Sequence, residues 1–344
     1  MDAISTDIEP PPRGGYADFT MNAAIRALMT GVIDYAGLFP PAALALEPAI
    51  RNYARYLNSE DRWMLGRFIC PASKLGELSP FVDELFAGEQ GATGSYSGTS
   101  PGLCRIAALG RGGKTREEFD IGMRADAEAI RTFNARHAAQ HFGHALVDAF
   151  ETRAPANANI PLEMSSFVEA NIGVGSGNST DNWRSAITHT IESAELRQFG
   201  FKLRTGGVEA NAFPPADQIA FAIVACRDAR VPIKFTAGLH HPIRHFNPSV
   251  QTRMHGFINV FAAGVLAHVH GFDGAHPGRL DEAKLIPILT DEDSKSFQFD
   301  NDGLRYKNLS ATITQTESAR RQILSFGSCS FDEPRDDLRS LGWL

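Results

Sequence analysis

Short apolar runs recur about every thirty to forty residues along the chain, and most are followed by a longer mixed stretch with helical spacing. The runs are VIDYAG (32–37), WMLGRFICPAS (63–73), LCRIAALG (103–110), ALVDAFET (145–152), NIPLEMSS (159–166), FGFKLRT (199–205), VPIKFTAG (231–238) and RQILSFGSCSF (321–331). They are short and lack strict alternation, so both faces of each strand are expected to be covered, as in parallel strands packed under helices. The intervening pattern predicts helices over 20–30, 47–58, 76–87, 116–141, 181–197 and 214–230, with Asp181 and Pro214 as start signals. Eight strands alternating with helices predict an α/β fold of the (β/α)8 TIM-type barrel class. An open doubly wound α/β sheet with a small C-terminal subdomain is the alternative.

Residues 246–320 break the rhythm between the seventh and eighth strands. They hold an apolar helix (255–271), a second helix near 280–293 and a hairpin turn at Asn301-Asp302 or Asp302-Gly303. The reading is one barrel domain over 17–344, with 246–320 as a decorating insertion and the proline-rich 1–16 as a flexible tail.

Composition narrows the function classes. An apolar fraction of 43% supports a substantial core, and a net charge of -7 argues against nucleic acid as the main partner. No stretch of 18 apolar residues is present and the acidic N-terminus lacks a signal pattern, so no membrane span is expected and a cytoplasmic location is. Cys70, Cys104, Cys226 and Cys329 are too scattered for a zinc-knuckle or redox pair. Homo-oligomerisation stays open.

In a barrel, reacting groups come from the C-terminal strand ends and the loops after them. The candidates there are Asp34, Tyr35, Cys70, Asp148, Glu151, Glu163, Lys202, Arg204, Glu209, Lys234, Thr236, His240, Ser328, Cys329 and Ser330. Lys202 and Lys234 end two neighbouring strands, each among apolar residues. A desolvated lysine with a second cation nearby is more easily held as the free amine, which is the logic of Schiff-base catalysis. Each lysine could equally pair with a carboxylate such as Glu163 and only hold the barrel together.

FKLRTGG (201–207) and IKFTAG (233–238) are similar to the strand ends of class I aldolases of the deoxyribose-phosphate type, with the lysines 32 positions apart. The resemblance covers about forty residues and implies Lys234 as the nucleophile with Lys202 as its tuner. This chain departs from that family in its histidines after the seventh strand and in Phe235 within the motif. TAGLHHPIRH (236–245) is also similar to a run in uncharacterised bacterial proteins, from which no function carries over.

Seven of the 11 histidines fall between His240 and His276. His240, His241 and His245, with Glu209, offer a ligand set for Zn²⁺ or another divalent metal. The same loop, with Arg204, Gly206, Gly207, Thr236, Gly238, Arg244 and Ser328, would equally clamp an anion. ALGRGGKT (108–115) approaches a phosphate-binding loop but lacks its first glycine and reads as a solvated turn. YAGLFPPAAL (35–44) suits a rigid pocket wall.

The leading expectation is an enzyme that acts on a small anionic carbonyl metabolite as an aldolase-like carbon–carbon lyase without a cofactor. Lys234 and Lys202 would be catalytic, Glu163 the proton carrier, and Arg204, His240 and Arg244 the anion clamp. A metal-dependent hydrolase or lyase using the His240–His245 loop is the second expectation, and a non-catalytic ligand-binding barrel the third.

Overall fold

The computed structural model describes residues 22–86, 102–113, 115–138, 144–155, 160–161, 163–170, 180–271 and 280–344. The expected tail at 1–16 and the glycine-containing runs at 173–179 and 274–278 lie outside them.

Seven strands follow the apolar runs: β1 (Ile33–Tyr35), β2 (Leu65–Pro71), β3 (Cys104–Leu109), β4 (Ala145–Arg153), β5 (Ser165–Glu169), β6 (Gly200–Arg204) and β7 (Ile233–Thr236). A small antiparallel pair comes next, β8 (His245–Asn247) with β9 (Thr252–Met254). A three-stranded antiparallel sheet follows, β10 (Phe297–Phe299), β11 (Gly303–Tyr306) and β12 (Leu309–Thr312), and the last strand is β13 (Ile323–Ser328). Strands β1 to β7 and β13 close into an eight-stranded barrel in which every neighbouring pair is parallel. This is the (β/α)8 architecture.

The helices are α1 (Ala23–Met29), α2 (Leu46–Leu57), α3 (Leu75–Phe86), α4 (Arg116–His137), α5 (Thr180–Arg197), α6 (Ala216–Asp228), α7 (Phe257–Val269), α8 (Glu282–Thr290), α9 (Ile313–Ala319) and α10 (Asp332–Ser340). Local signals fix several of their starts. Asn22 caps α1, and Thr115 with Glu118 forms a reciprocal capping box at α4.

Within the stretch 246–320, α7 packs on the barrel wall itself. Phe257 and Phe261 meet Phe326 of β13, and Gly264 lies against Ile323. Its other sides are covered by α6, α8, α9 and β12. A helix covered on all sides must be apolar all round, and residues 257 to 268 are all buried. The stretch therefore contains the ring helix that connects the seventh and eighth barrel strands, with further elements stacked over it.

The barrel interior carries its own small apolar cluster of Ile69, Ala107, Ala149 and Phe167, separate from the main core between strands and helices. Charged side chains flank that cluster. Towards the strand starts, Asp148 joins Arg67 and Arg105. Towards the strand ends lies the arrangement described next.

Candidate functional site

Hydrogen-bond register fixes the site before any side chain is considered. Lys234 of β7 is paired with Lys202 of β6, Lys202 with Glu169 of β5, and Glu169 with Arg153 of β4. Barrel strands tilt against the axis, so a register row climbs along it. Exposure follows that climb: Lys234 is 1% exposed, Lys202 6% and Glu169 8%, while Arg153 is exposed. Lys234 is thus the deep end of the row and Arg153 its mouth.

Two acids from other strands complete it. Lys234 Nζ donates to Asp34 Oδ2 of β1 at 2.7 Å and to Glu151 Oε1 of β4 at 2.5 Å. Lys202 Nζ lies 3.0 Å from Glu151 Oε2 and 3.3 Å from Glu169 Oε2. Arg153 donates to Glu169 Oε1 at 2.7 Å. Asp34 also accepts from Ser325 Oγ at 2.6 Å and from the Arg67 amide at 2.7 Å. The result is an ionic chain of alternating sign, Asp34–Lys234–Glu151–Lys202–Glu169–Arg153, across the barrel.

Burial sets the electrostatics. It pushes the Glu151 carboxyl up, but the ammoniums of Lys234 and Lys202 outweigh it and hold the group at about 2. Glu169 is lowered in the same way, with burial opposed by Lys202 and then Arg153. Burial pulls Lys234 down, and Asp34 and Glu151 more than reverse it, so Lys234 stays charged. Phe167 covers its ammonium, 5.4 Å from the ring centre.

A cavity of about 400 Å³ opens over this chain at the C-terminal rim. Lys202, Glu151 and Glu169 lie on its lining, whereas Lys234 lies beneath it. Ala36, Phe39, Pro40 and Pro41 wall one side, as the run after β1 suggests. The mouth carries Arg111, Arg153, Arg204 and His240. Burial lowers His240, but its contacts with Cys329 and Glu333 raise it to about 9, so the imidazole is a cation at neutral pH. Its Nδ1 lies 3.3 Å from Glu333 Oε2 and 4.0 Å from Cys329 Sγ.

Several expected positions fall elsewhere. Glu163 is exposed and precedes β5, because that strand begins at Ser165 rather than at Asn159; the carboxylate that β5 delivers to the rim is Glu169. Of the expected clamp, Arg204, Gly207, Thr236, Gly238 and His240 line the cavity. Arg244 is turned to His255 and Glu292, and Ser328 Oγ accepts from the Ser330 amide. Gly206 is needed for packing: a Cβ there would come within 2.8 Å of the Gly238 Cα, and Gly238 itself has a φ of +77°. Arg111 and Arg153 at the mouth, and Glu169, are site members that the sequence reading missed. For Arg153 and Glu169, a charged residue closing the strand was the available signal.

The histidine loop does not gather as a ligand set. His241 Nδ1 is 2.6 Å from Asp337, His245 Nδ1 is 3.1 Å from the Ile243 carbonyl, and Glu209 is exposed. Among the described residues, the group that does bring three ligand atoms together is Asp83, His137 and His144, all within 4.8 Å of one another. The expectation of a site without any cofactor is corrected by this cluster, which is a candidate metal site. Asp83 lies on α3, His137 ends α4, and His144 immediately precedes β4.

No helix among the described residues is long and apolar enough to cross a membrane. No family model matches the chain, and no curated protein matches its sequence. The barrel with its rim cavity and its Asp–His–His cluster is consistent with enzymatic function.

Proposed function

We infer that the protein is a barrel enzyme that acts on a small anionic carbonyl compound through Lys202, as a carbon–carbon lyase of the aldolase kind. One observation carries this reading: of two neighbouring lysines that share Glu151, Lys202 reaches the cavity lining and has the charged Lys234 beneath it. Among the two lysines the roles are the reverse of those the resemblance implies. Lys234 is locked between Asp34 and Glu151 beneath the cavity, so it supplies a fixed positive field. Lys202 is the amine a substrate can reach.

In the proposed reaction Lys202 passes a proton through Glu169 to the carbonyl oxygen as its amine attacks the carbonyl carbon. Loss of water leaves an iminium; Glu169 then takes the proton of the substrate's β-hydroxyl, an aldehyde departs, and the electron pair of the broken carbon–carbon bond stays on the lysine-bound fragment as an enamine. The same carboxyl returns that proton to the enamine carbon, and water hydrolyses the resulting iminium to release the second product and Lys202. Arg153, Arg204 and protonated His240 at the mouth favour a carboxylate or phosphate on the substrate.

The test is borohydride reduction in the presence of small phosphorylated and carboxylated aldehydes and ketones, read by peptide mass. An adduct on the Lys202 peptide, absent in Lys202→Arg, is expected. An adduct on Lys234 alone would restore the opposite assignment, and no adduct with any carbonyl would overturn the lysine chemistry.

A metal-dependent hydrolase or lyase is the second reading, and the Asp83–His137–His144 cluster is what favours it. His144 lies seven positions before Glu151, a span of about 23 Å at about 3.3 Å per residue. Metal chemistry would then run at the opposite end of the barrel from the rim cavity. Stoichiometric metal together with turnover that requires it would select this reading.

A further inference from the structure

The foot of the barrel holds a second built site that the rim chemistry does not use. His137 Nδ1 lies 3.2 Å from His144 Nε2 and 3.3 Å from Asp83 Oδ1, and His144 Nε2 lies 3.4 Å from the same oxygen. The three ligand atoms therefore make a nearly equilateral triangle. Four ligands at about 2.0–2.1 Å in a tetrahedron around zinc are about 3.3–3.4 Å apart, so the triangle matches one face of that tetrahedron.

Two of the three ligands are aimed from behind. His137 Nε2 is 2.8 Å from Ser79 Oγ, which fixes the other nitrogen on the cluster. Asp83 Oδ2 accepts from Arg136 at 2.5 Å, which turns Oδ1 inward. The His137 ring is fully buried, 4.4 Å from the Phe133 ring centre to centre. Two nitrogen donors and one carboxylate oxygen suit a borderline first-row cation and not Ca²⁺ or Mg²⁺, which prefer all-oxygen sets.

We propose that Asp83, His137 and His144 seat a first-row divalent cation, best matched by Zn²⁺, with water in the fourth position, and that its role is to tie α3, the end of α4 and the start of β4 together at the barrel foot. The ion cross-links three elements that are distant in sequence, and it lies too far from the rim to touch a substrate there. This assignment stands whether or not Lys202 forms an imine.

The experiment uses tag-free full-length protein, stripped with chelator and reloaded with Zn²⁺. One metal per chain is expected. At a free Zn²⁺ concentration 100 times Kd, the melting temperature should rise by about 4 °C over the stripped protein. His144→Gln and Asp83→Asn, both at the more exposed ligands, should fold, bind no metal at that concentration, and melt at one temperature with or without zinc. Less than a tenth of a metal per chain would overturn the site and leave a hydrogen-bonded cluster. Stoichiometric metal with no change in melting temperature, or retained in both variants, would overturn the structural role or the ligand set. If the rim lysine reading fails instead, these readouts do not change.

Discussion

Replacing Glu151 by glutamine keeps the shape of the side chain and removes the charge that two buried ammoniums share. The magnitude follows from the site. The Glu151 carboxyl is held at about 2 in the fold against an ordinary 4.5, and the side chain is 1% exposed. At 1.36 kcal/mol per tenfold change in proton affinity, the fold favours the ionised form by about 3 kcal/mol. A depressed carboxyl contributes its stability above the unfolded value and loses it as pH falls through the folded one. The contribution is therefore complete above about pH 5 and disappears between pH 4.5 and about 2. In Glu151→Gln, Lys234 keeps Asp34 and Lys202 keeps Glu169, so neither ammonium is orphaned. The loss should then lie near the lower end of the 3–5 kcal/mol typical of a broken buried pair. Urea unfolding, followed by tryptophan fluorescence at several pH values, reads it directly. The variant should be about 3 kcal/mol less stable at pH 7 and at pH 5, and the gap should close as pH approaches 2. A gap that does not change with pH would refute the reasoning, because it would assign the loss to packing. A gap under about 1 kcal/mol at pH 7 would do the same for the strength of the ionic chain.

Two further outcomes follow from the rim. Burial pushes the Cys70 thiol up to about 12 and raises Cys104 and Cys226 well above the ordinary range, whereas Cys329 is partly exposed on the cavity. An aromatic disulfide reagent at pH 8 should thus titrate one thiol quickly in the native protein and four in denaturant, with a second fast native thiol counting against the burial argument. His240 is raised to about 9, so its charge is present below that pH and lost as pH rises through it; binding of a carboxylate or phosphate at the mouth should weaken above about pH 9. His240→Gln should flatten that step, and an unchanged profile would remove His240 from the clamp.

The strand count was legible because a parallel barrel strand is a short apolar run bounded by glycine, proline or charge, and eight such runs exist. Helix α7 was also legible as an unusually apolar helix suited to cover the barrel. An all-apolar helix says that every side is covered, and its packing on β13 makes one of those sides the barrel wall. Strand β5 was displaced by six residues. NIPLEMSS and SSFVEA are both short, mixed stretches, and a period of two accommodates either. Only pairing with β4 and β6 selects Ser165–Glu169. That displacement moved the inferred carboxylate from Glu169 at the mouth to Glu163 before the strand.

The lysine roles and the metal ligands show a second limit, and both have the same cause. Lys202 and Lys234 occupy equivalent places in their strands, and sequence alone cannot rank their depth. The tilt of the register row does, by lowering Lys234 under the cavity and leaving Lys202 on its lining. The histidines of 240–276 are dense along the chain, but beyond His240, His241 and His245, which meet around Glu333, those described bond separately. His255 meets the Pro214 carbonyl, His268 the Gly264 carbonyl and His270 the Ser310 carbonyl. The residues that do converge, Asp83, His137 and His144, have no telling spacing, because their meeting is set by where α3 and α4 end against the foot of β4. Density of a ligand type in sequence therefore carries little weight in a barrel unless the residues lie at one end of neighbouring strands or helices. By that criterion the proposed lysine site belongs to the rim and the proposed metal site to the foot, and the two should fail separately when Lys202 or His144 is replaced.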